Sequence, residues 1–185
     1  MSHSDDLEQL RRDVRYLKDR IEILDCVAKQ ARGHDRHDAE LMTRAYHDDG
    51  VDEHGPAVNL GPAYGEWANK IHAASFLDHL HNITTHTCEI DGDVAHCESY
   101  VIGTMRARDD ETIVLIGGRY LDRLERRGGV WKIAIRRCTI EWAFTASAAM
   151  MRTGAFKGFL KGTWDESDLS YARPLQLDSK PADKW

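Results

Sequence analysis

Long apolar runs and closely spaced cysteines are absent from this sequence. No apolar run approaches the ~20 residues of a membrane helix, and residues 1–12 carry charges of both signs instead of the apolar core of a secretory signal. We therefore expect a cytoplasmic protein with no membrane partner. The four cysteines lack CxxC spacing, so we expect reduced, mostly buried thiols and no disulfide framework.

Basic residues are also in the minority. The chain has 25 Lys and Arg against 31 Asp and Glu, which leaves a net charge of −6. This balance argues against nucleic acid as a partner. With 185 residues, of which 42% are hydrophobic, the chain is long enough for one folded domain. We place that domain at residues 1–162 and assign residues 163–185, which show no clear period, to a C-terminal extension.

The first part of the chain has the pattern of helices. An apolar residue recurs every three or four positions from Leu7 to Leu24, which predicts a helix with one apolar face that runs on to Gly33. This face can pack on a sheet or pair copies of the chain, and we expect a homo-oligomer, either a dimer or a trimer. Asp38 predicts the start of a second, short helix, and residues 66–80 predict a third.

The rest of the chain has the pattern of strands and turns. Residues 50–65 are rich in Gly and Pro, which predicts a loop with at most one short strand. Beyond the third helix, four segments rich in β-branched and aromatic residues are separated by short turns: 81–90, 94–107, 112–126 and 130–145. Helices followed by such a meander predict an α+β fold, in which the helices cover one face of a curved antiparallel sheet.

Histidine is the residue type that first indicates chemistry. Nine of the ten histidines lie between His34 and His96, and an imidazole can transfer protons near neutral pH or bind a metal. Neighbouring histidines and a carboxylate could form a metal site, but no HExxH or CxxC spacing supports one. We therefore expect no metal and no organic cofactor. Four histidines are expected at the surface or at the rim of a site: His34, His37, His47 and His79.

Three stretches resemble a known family: residues 31–38 (ARGHDRHD), 46–55 (YHDDGVDEHG) and 118–133 (GRYLDRLERRGGVWKI). They are similar to the SnoaL-like branch of the nuclear transport factor 2-like superfamily. That superfamily includes scytalone dehydratase, hexachlorocyclohexane dehydrochlorinase, bile-acid dehydratase, ketosteroid isomerase and polyketide cyclases. The same stretches and the chain length also resemble sphingomonad diarylpropane formaldehyde lyases. The resemblance implies a cone-shaped barrel, in which N-terminal helices close a curved antiparallel sheet around one apolar cavity.

The resemblance also implies catalytic residues. In the dehydratase and dehydrochlorinase members, an Asp at the end of the first long helix pairs with a His that begins the strand after the third helix, and these positions hold Asp35 and His81 here. Gln30 stands where some members have a Lys or a Tyr. A basic residue of the last strand matches Arg136 or Arg137, of which strand alternation lets only one face the cavity. We take Arg137 as the catalytic candidate.

An Asp–His pair is chemically suited to elimination. A neutral histidine removes a proton near neutral pH, and the carboxylate fixes its tautomer and stabilises the imidazolium that forms. We therefore hypothesise a cofactor-independent lyase that eliminates water or formaldehyde from a small hydrophobic, aromatic substrate such as a lignin-derived diarylpropane. The alternatives are an isomerase or polyketide cyclase with the same cavity, and a non-catalytic binding or assembly subunit such as the small subunit of a ring-hydroxylating dioxygenase.

Strand alternation and family position also indicate substrate-binding residues. Seven residues are expected to line the cavity or its mouth: Tyr46, Asn59, Tyr64, Trp67, Tyr100, Tyr120 and Trp142. Asp52, Glu53 and His54 form a second group of acid-base residues. That group either supplies a further proton donor or acceptor, or lies at the surface.

Overall fold

The computed structural model describes residues 3–177 and 184–185. In this part of the chain the helices are α1 (His3–Asp35), α2 (Ala39–Arg44) and α3 (Gly61–Ser75). The strands are β1 (Tyr46–His54), β2 (Ala57–Leu60), β3 (Phe76–Asp91), β4 (Val94–Ala107), β5 (Thr112–Arg127) and β6 (Val130–Ser147). Short 3₁₀ turns follow at Ala149–Arg152, Gly154–Phe156 and Leu169–Tyr171. None of the described helices is apolar over a length that would cross a membrane.

The two halves of α1 have different surroundings. Its 33 residues make a rod of about 50 Å at ~1.5 Å per residue. The C-terminal half enters the core, where Ile23 and Val27 are fully buried. The N-terminal half exposes its apolar face, from Leu7 at 49% to Ile21 at 63%. The predicted helix is confirmed, and it ends at Asp35.

The two shorter helices follow their local start signals. The Asp38 carboxylate accepts a hydrogen bond of 2.8 Å from the Leu41 backbone N–H, which confirms the predicted N-cap. Pro62 lies in the first turn of α3, where its fixed φ suits a helix start. The prediction that the third helix reaches residue 80 is wrong, because β3 begins at Phe76. The helix passes directly into the strand there, without a Gly or Pro to mark the boundary.

One six-stranded sheet, in the order β2-β1-β6-β5-β4-β3, forms the body of the protein. The predicted antiparallel meander is confirmed as β3 to β6. The α+β class is confirmed too, with the helices packed against the curved sheet. The sheet is not closed into a barrel, because β2 and β3 remain its two edges.

A hairpin occupies much of the stretch that was predicted to be a loop. β1 and β2 pair in antiparallel fashion around a turn in which Gly55 has φ +64°, and β1 also runs parallel to β6. Gly50 lies within β1, where a Cβ would come 2.8 Å from the Ile133 carbonyl oxygen. The glycines of this stretch therefore serve a turn and a close approach between strands, which is why a high glycine content is compatible with a hairpin.

An ion pair lies inside the core between α1 and the sheet. Arg136, fully buried, donates two hydrogen bonds of 2.7 Å to Asp122 and a third of 2.7 Å to Gln30 Oε1. Its guanidinium also lies 3.9 Å from the centre of the Tyr120 ring. These contacts compensate for the burial of the charges and connect α1 to β5 and β6.

The first part of the C-terminal extension lies against the end of α1. Arg36 donates a hydrogen bond of 3.2 Å to the Thr163 carbonyl and lies 3.5 Å from the buried Asp168 carboxylate. The Trp164 ring stacks on His37 at 3.7 Å between ring centres. Residues 178–183 of the predicted extension lie outside the described residues.

A buried carboxylate also fastens the middle of α1 to the sheet. Both Asp19 oxygens accept a hydrogen bond of 2.8 Å from Arg126, and Trp131 Nε1 donates a third bond of 3.0 Å. Burial alone would raise the pKa of Asp19, but the hydrogen bonds from Trp131 and Arg126 outweigh it and hold this pKa below its usual value.

We predict that Asp19→Asn lowers the free energy of unfolding by about 2 kcal/mol near pH 7, since it removes charge-assisted hydrogen bonds. Because the folded-state pKa is depressed, this stabilisation is present above about pH 4 and is lost as the pH falls through the folded-state value. Urea unfolding at several pH values measures the difference between the two proteins. Asp13→Asn, at an exposed position of α1, is the control. A difference that persists unchanged at pH 2 would contradict this account.

Candidate active site

Asp35 and His81 meet where the end of α1 reaches β3. His81 Nδ1 lies 2.8 Å from Asp35 Oδ1, and the His81 backbone N–H donates to both carboxylate oxygens at 2.9 and 3.1 Å. Both side chains are nearly buried, with 11% of His81 and 13% of Asp35 exposed. Because a carboxylate only accepts hydrogen bonds, Nδ1 carries the proton in the neutral ring. Nε2 is then left with a free lone pair.

His81 lines a cavity of about 290 Å³ between α3 and the sheet. This volume is near the lower end of the range for small-molecule pockets, roughly 300–1,000 Å³. Most of the wall is apolar, and it includes Phe76, Val101, Met105, Ile116, Tyr120, Cys138 and Ile140. Its polar residues are the histidines together with Ser75, Arg119 and Thr139, so a bound molecule would be held mainly by apolar contacts and oriented by these polar groups.

Three histidines of the wall have distinct positions. His81 lies on β3, His72 on α3 and His54 at the end of β1. His54 Nδ1 lies 3.5 Å from Asp52 Oδ1, 3.3 Å from the Tyr64 hydroxyl and 3.2 Å from Cys138 Sγ. Asp52 is fully buried and accepts a hydrogen bond of 2.5 Å from the Tyr46 hydroxyl. The cavity therefore has a second histidine–carboxylate pair, drawn from the acid-base group of β1.

A buried hydrogen-bond chain lies behind the two pairs. Arg136 donates to Gln30 Oε1, which fixes the amide so that Gln30 Nε2 faces His34 Nε2 at 2.9 Å. The Tyr64 hydroxyl lies 3.0 Å from the same His34 nitrogen and 3.3 Å from His54 Nδ1. Burial lowers the pKa of His34 well below its usual value, and the neighbouring histidines lower it further. His34 is therefore a neutral member of the chain.

The expectation that Arg137 belongs to the site is wrong. Its side chain is 65% exposed and pairs with Glu53 on the outer face of the sheet. Arg136 is the member of the pair that points inward, and it contacts Asp122 and Tyr120 rather than the cavity. Because successive side chains of β6 point to opposite faces of the sheet, two neighbouring residues cannot both face the cavity.

The expected lining residues fall into three groups. Tyr120 lines the cavity. Tyr46 and Tyr64 are buried in the layer behind it, and Trp67 packs on the Tyr64 and His54 rings at 5.7 and 6.2 Å.

The remaining three expected lining residues lie away from the cavity. Asn59 lies on the edge strand β2. Tyr100 and Trp142 are 46% and 43% exposed and share a shallow depression on the outer face with Thr84 and Ile102, so their assignment to the cavity is wrong. In β4 the inward positions are those of Val101 and Gly103.

Burial of the histidines is the feature that sequence reasoning missed. His34, His47 and His79 are 1%, 8% and 3% exposed, although surface or rim positions were expected. The centre of the His81 ring lies 4.8 Å from the centre of the His34 ring and 5.3 Å from that of the His79 ring. The spacing of His79 and His81 by two, on a strand, was the available signal that both share one face.

Comparisons with solved structures show the same fold. The hexachlorocyclohexane dehydrochlorinase LinA-type3 from Novosphingobium barchaimii aligns at 22% identity over 72% of this chain and 94% of its own, with a TM-score of 0.68. A scytalone dehydratase-like protein from Novosphingobium aromaticivorans aligns at 17% identity over 70% and 88% of the two chains, with a TM-score of 0.63. Rv3472 from Mycobacterium tuberculosis, of unknown function, aligns at 27% identity over 70% and 75%, with a TM-score of 0.61.

Sequence comparison identifies the family. No curated protein sequence matches this chain. The family model for the SnoaL-like domain matches residues 15–137, which is more than half of the chain and contains α2, α3, β1 to β5, most of α1 and the first part of β6. The chain therefore belongs to the SnoaL-like family, within the nuclear transport factor 2-like superfamily.

Proposed function

We propose that this protein is a cofactor-independent lyase that eliminates water or formaldehyde from a small aromatic substrate. The observation that carries the proposal is the Asp35–His81 pair, nearly buried at the wall of an apolar cavity, with His81 Nδ1 held by the carboxylate. A general base in such a place has its free nitrogen available to a bound substrate. The dehydrochlorinase and dehydratase-like proteins of similar fold support elimination as the reaction class.

His81 and His54 divide the proton transfers of the proposed reaction. His81 Nε2 takes a proton from a C–H or O–H group of the substrate, and Asp35 stabilises the imidazolium that forms. His54, with the Asp52 carboxylate 3.5 Å away, donates a proton to the leaving oxygen. In the dehydration route, the electrons of the C–H bond become the new double bond as the C–O bond breaks, and water leaves.

The formaldehyde route uses the same two groups on a 1,3-diol. His81 takes the proton of the terminal hydroxyl, whose oxygen becomes the aldehyde oxygen as the adjacent C–C bond breaks. The released electron pair forms a double bond between the two remaining carbons and expels the second hydroxyl, which leaves as water with a proton from His54. The products are an alkene, formaldehyde and water, so no oxidant or reductant is needed. The apolar wall favours aryl groups on the two remaining carbons.

The alternatives differ in what they require of the pair. A non-catalytic assembly subunit has no need for a carboxylate and a histidine in contact at a cavity wall. An isomerase or cyclase uses the same base but returns the proton to the substrate, so its product has the mass of the substrate. Mass spectrometry of the product therefore separates elimination from isomerisation.

We predict that His81→Ala reduces turnover by ~10²–10⁴-fold, the usual contribution of a positioned base. Imidazole added to the solution should restore part of the activity, since the cavity left by the ring can hold it. The assay screens aromatic diols for formaldehyde and for loss of water. His96→Ala, which changes an exposed histidine of β4, is the control.

Two results would contradict the proposed role of His81. One is turnover near the wild-type value in His81→Ala. The other is a large loss that imidazole does not restore, in a variant whose circular dichroism matches that of the wild type.

We also propose that the chain self-associates through the exposed apolar face of α1. Six large apolar residues, spaced by three and four, are 41–63% exposed there: Leu7, Leu10, Val14, Leu17, Ile21 and Leu24. Such spacing matches the contact positions of paired helices, and charges of both signs flank it. The proposed partner is a second copy of this chain, because its own α1 offers a complementary apolar face.

We predict a dimer or trimer at micromolar concentration for the wild type and a monomer for Leu17→Glu, because a charge at the centre of the apolar face opposes pairing. Light scattering after gel filtration measures the mass. Leu175→Glu, at an exposed position of the C-terminal extension, should leave the mass unchanged. A monomeric wild type would overturn this proposal.

A further inference from the structure

Three histidines from three different elements converge beside the Asp35–His81 pair. His37 follows the end of α1, His72 lies on α3 and His79 lies on β3. Each offers one ring nitrogen, and these three atoms lie within 4.8 Å of one another. The His72 and His79 rings are 4.4 Å apart between centres, and the His37 and His79 rings are 5.4 Å apart.

The tautomer of His79 can be read from its contacts. His79 Nε2 lies 2.8 Å from the His34 carbonyl oxygen, which only accepts hydrogen bonds, so Nε2 carries the proton. Nδ1 is then a bare lone pair. It is buried, in a side chain that is 3% exposed, and no group of the described residues donates a hydrogen bond to it. A buried acceptor without a partner is unfavourable, which indicates that something else occupies this position.

The other two histidines present nitrogens in the same condition. His37 Nε2 and His72 Nδ1 are buried and have no hydrogen-bond partner among the described residues. Burial, together with the neighbouring histidines, lowers the pKa of His72 to about 2 and that of His79 to about 4. Burial also lowers the pKa of His37. All three rings are therefore neutral near pH 7, which is the form in which imidazole binds a metal.

We propose that His37 Nε2, His72 Nδ1 and His79 Nδ1 bind a transition-metal ion of the Zn²⁺ class, with a fourth position open to water. Three neutral imidazoles are a common ligand set for zinc, with Zn–N bonds of about 2.0–2.1 Å. The His34 carbonyl orients His79 as an outer hydrogen-bond partner orients a metal ligand, and Trp164 covers the face of His37. The ion would link α1, α3 and β3 beside the proton-transfer pair, contrary to the expectation of no metal, and the proton transfers proposed for His81 and His54 do not use it.

A second set of nitrogens, from His34, His72 and His81, also lies within 4.8 Å of one another but is chemically less suited. Gln30 Nε2 donates to His34 Nε2, because Arg136 holds the other end of the amide. The remaining His34 nitrogen, Nδ1, therefore carries the proton and has no lone pair to offer. A metal in that set would also occupy the nitrogen that His81 uses as a base.

The test is metal binding by the untagged full chain, first stripped with a chelator and then titrated with Co²⁺ and Zn²⁺. We expect one Co²⁺ per chain with a visible absorption of a nitrogen-bound ion. We also expect a higher melting temperature with Zn²⁺, because a ligand of the folded state stabilises it. His37→Ala and His79→Ala should each weaken binding by at least ~100-fold. His37 is partly exposed, so its variant keeps the fold.

Two matched variants make the assignment specific. His96→Ala, at an exposed position, and His81→Ala, which removes a ligand of two neighbouring groups (His34, His72 and His81; Asp35, His79 and His81) but not of the proposed site, should bind as the wild type does. Undiminished binding in His37→Ala and His79→Ala would overturn the proposal, as would loss of binding in His81→Ala. An intense near-ultraviolet thiolate band would do so too, because it would place the ion at one of the two groups that contain cysteine: His86, Cys88 and Cys97, or Asp52, His54 and Cys138.

Discussion

The carboxylate of Asp35 joins the end of α1 to β3 through both the ring and the backbone of His81. One carboxylate thus accepts hydrogen bonds from two donors of a single residue. The backbone contact fixes where the helix end lies on the sheet, and the ring contact fixes which nitrogen of His81 is free. The position of α1 and the chemistry at the cavity wall therefore depend on the same interaction. A substitution at Asp35 would affect both, whereas a substitution at His81 leaves the helix end with its backbone partner.

Behind this contact, buried polar side chains orient one another through hydrogen bonds. The Arg136–Asp122 pair would be costly if either member were alone, but together they hold Gln30, which orients His34, and the Tyr64 hydroxyl lies between His34 and His54. This chain runs from β6 through α1 and α3 to β1. It gives the buried His34 ring a defined tautomer. The ring nitrogens His72 Nδ1 and His79 Nδ1 are buried without a hydrogen-bond partner among the described residues. Such burial is unfavourable, and the missing partners leave both nitrogens available to an ion.

The parts of the structure that the sequence predicts are those with a local physical cause. The Asp38 cap, the apolar spacing of α1 and the hairpin turns between β3 and β6 each depend on a few neighbouring residues. The Asp35–His81 contact was expected from family resemblance, since 46 positions separate the two in the chain. Alternation predicts that Arg136 and Arg137 differ in orientation but does not say which points inward. That choice is set by Asp122 and Gln30, which come from other elements. Tyr100 lies outside because alternation along β4 turns Val101 and Gly103 inward. Trp142 lies outside beyond an irregularity of the β5–β6 register at Gly117 and Gly118.

The central claim is that Asp35 holds His81 as the tautomer whose Nε2 is free to accept a proton. Nitrogen-15 NMR of the histidine rings measures this most directly, in the wild type and in Asp35→Asn, at a pH where the His81 ring is neutral. The account predicts a proton on Nδ1 of His81 and a bare Nε2 in the wild type, with that preference weakened in Asp35→Asn. A proton on Nε2 in the wild type would contradict it.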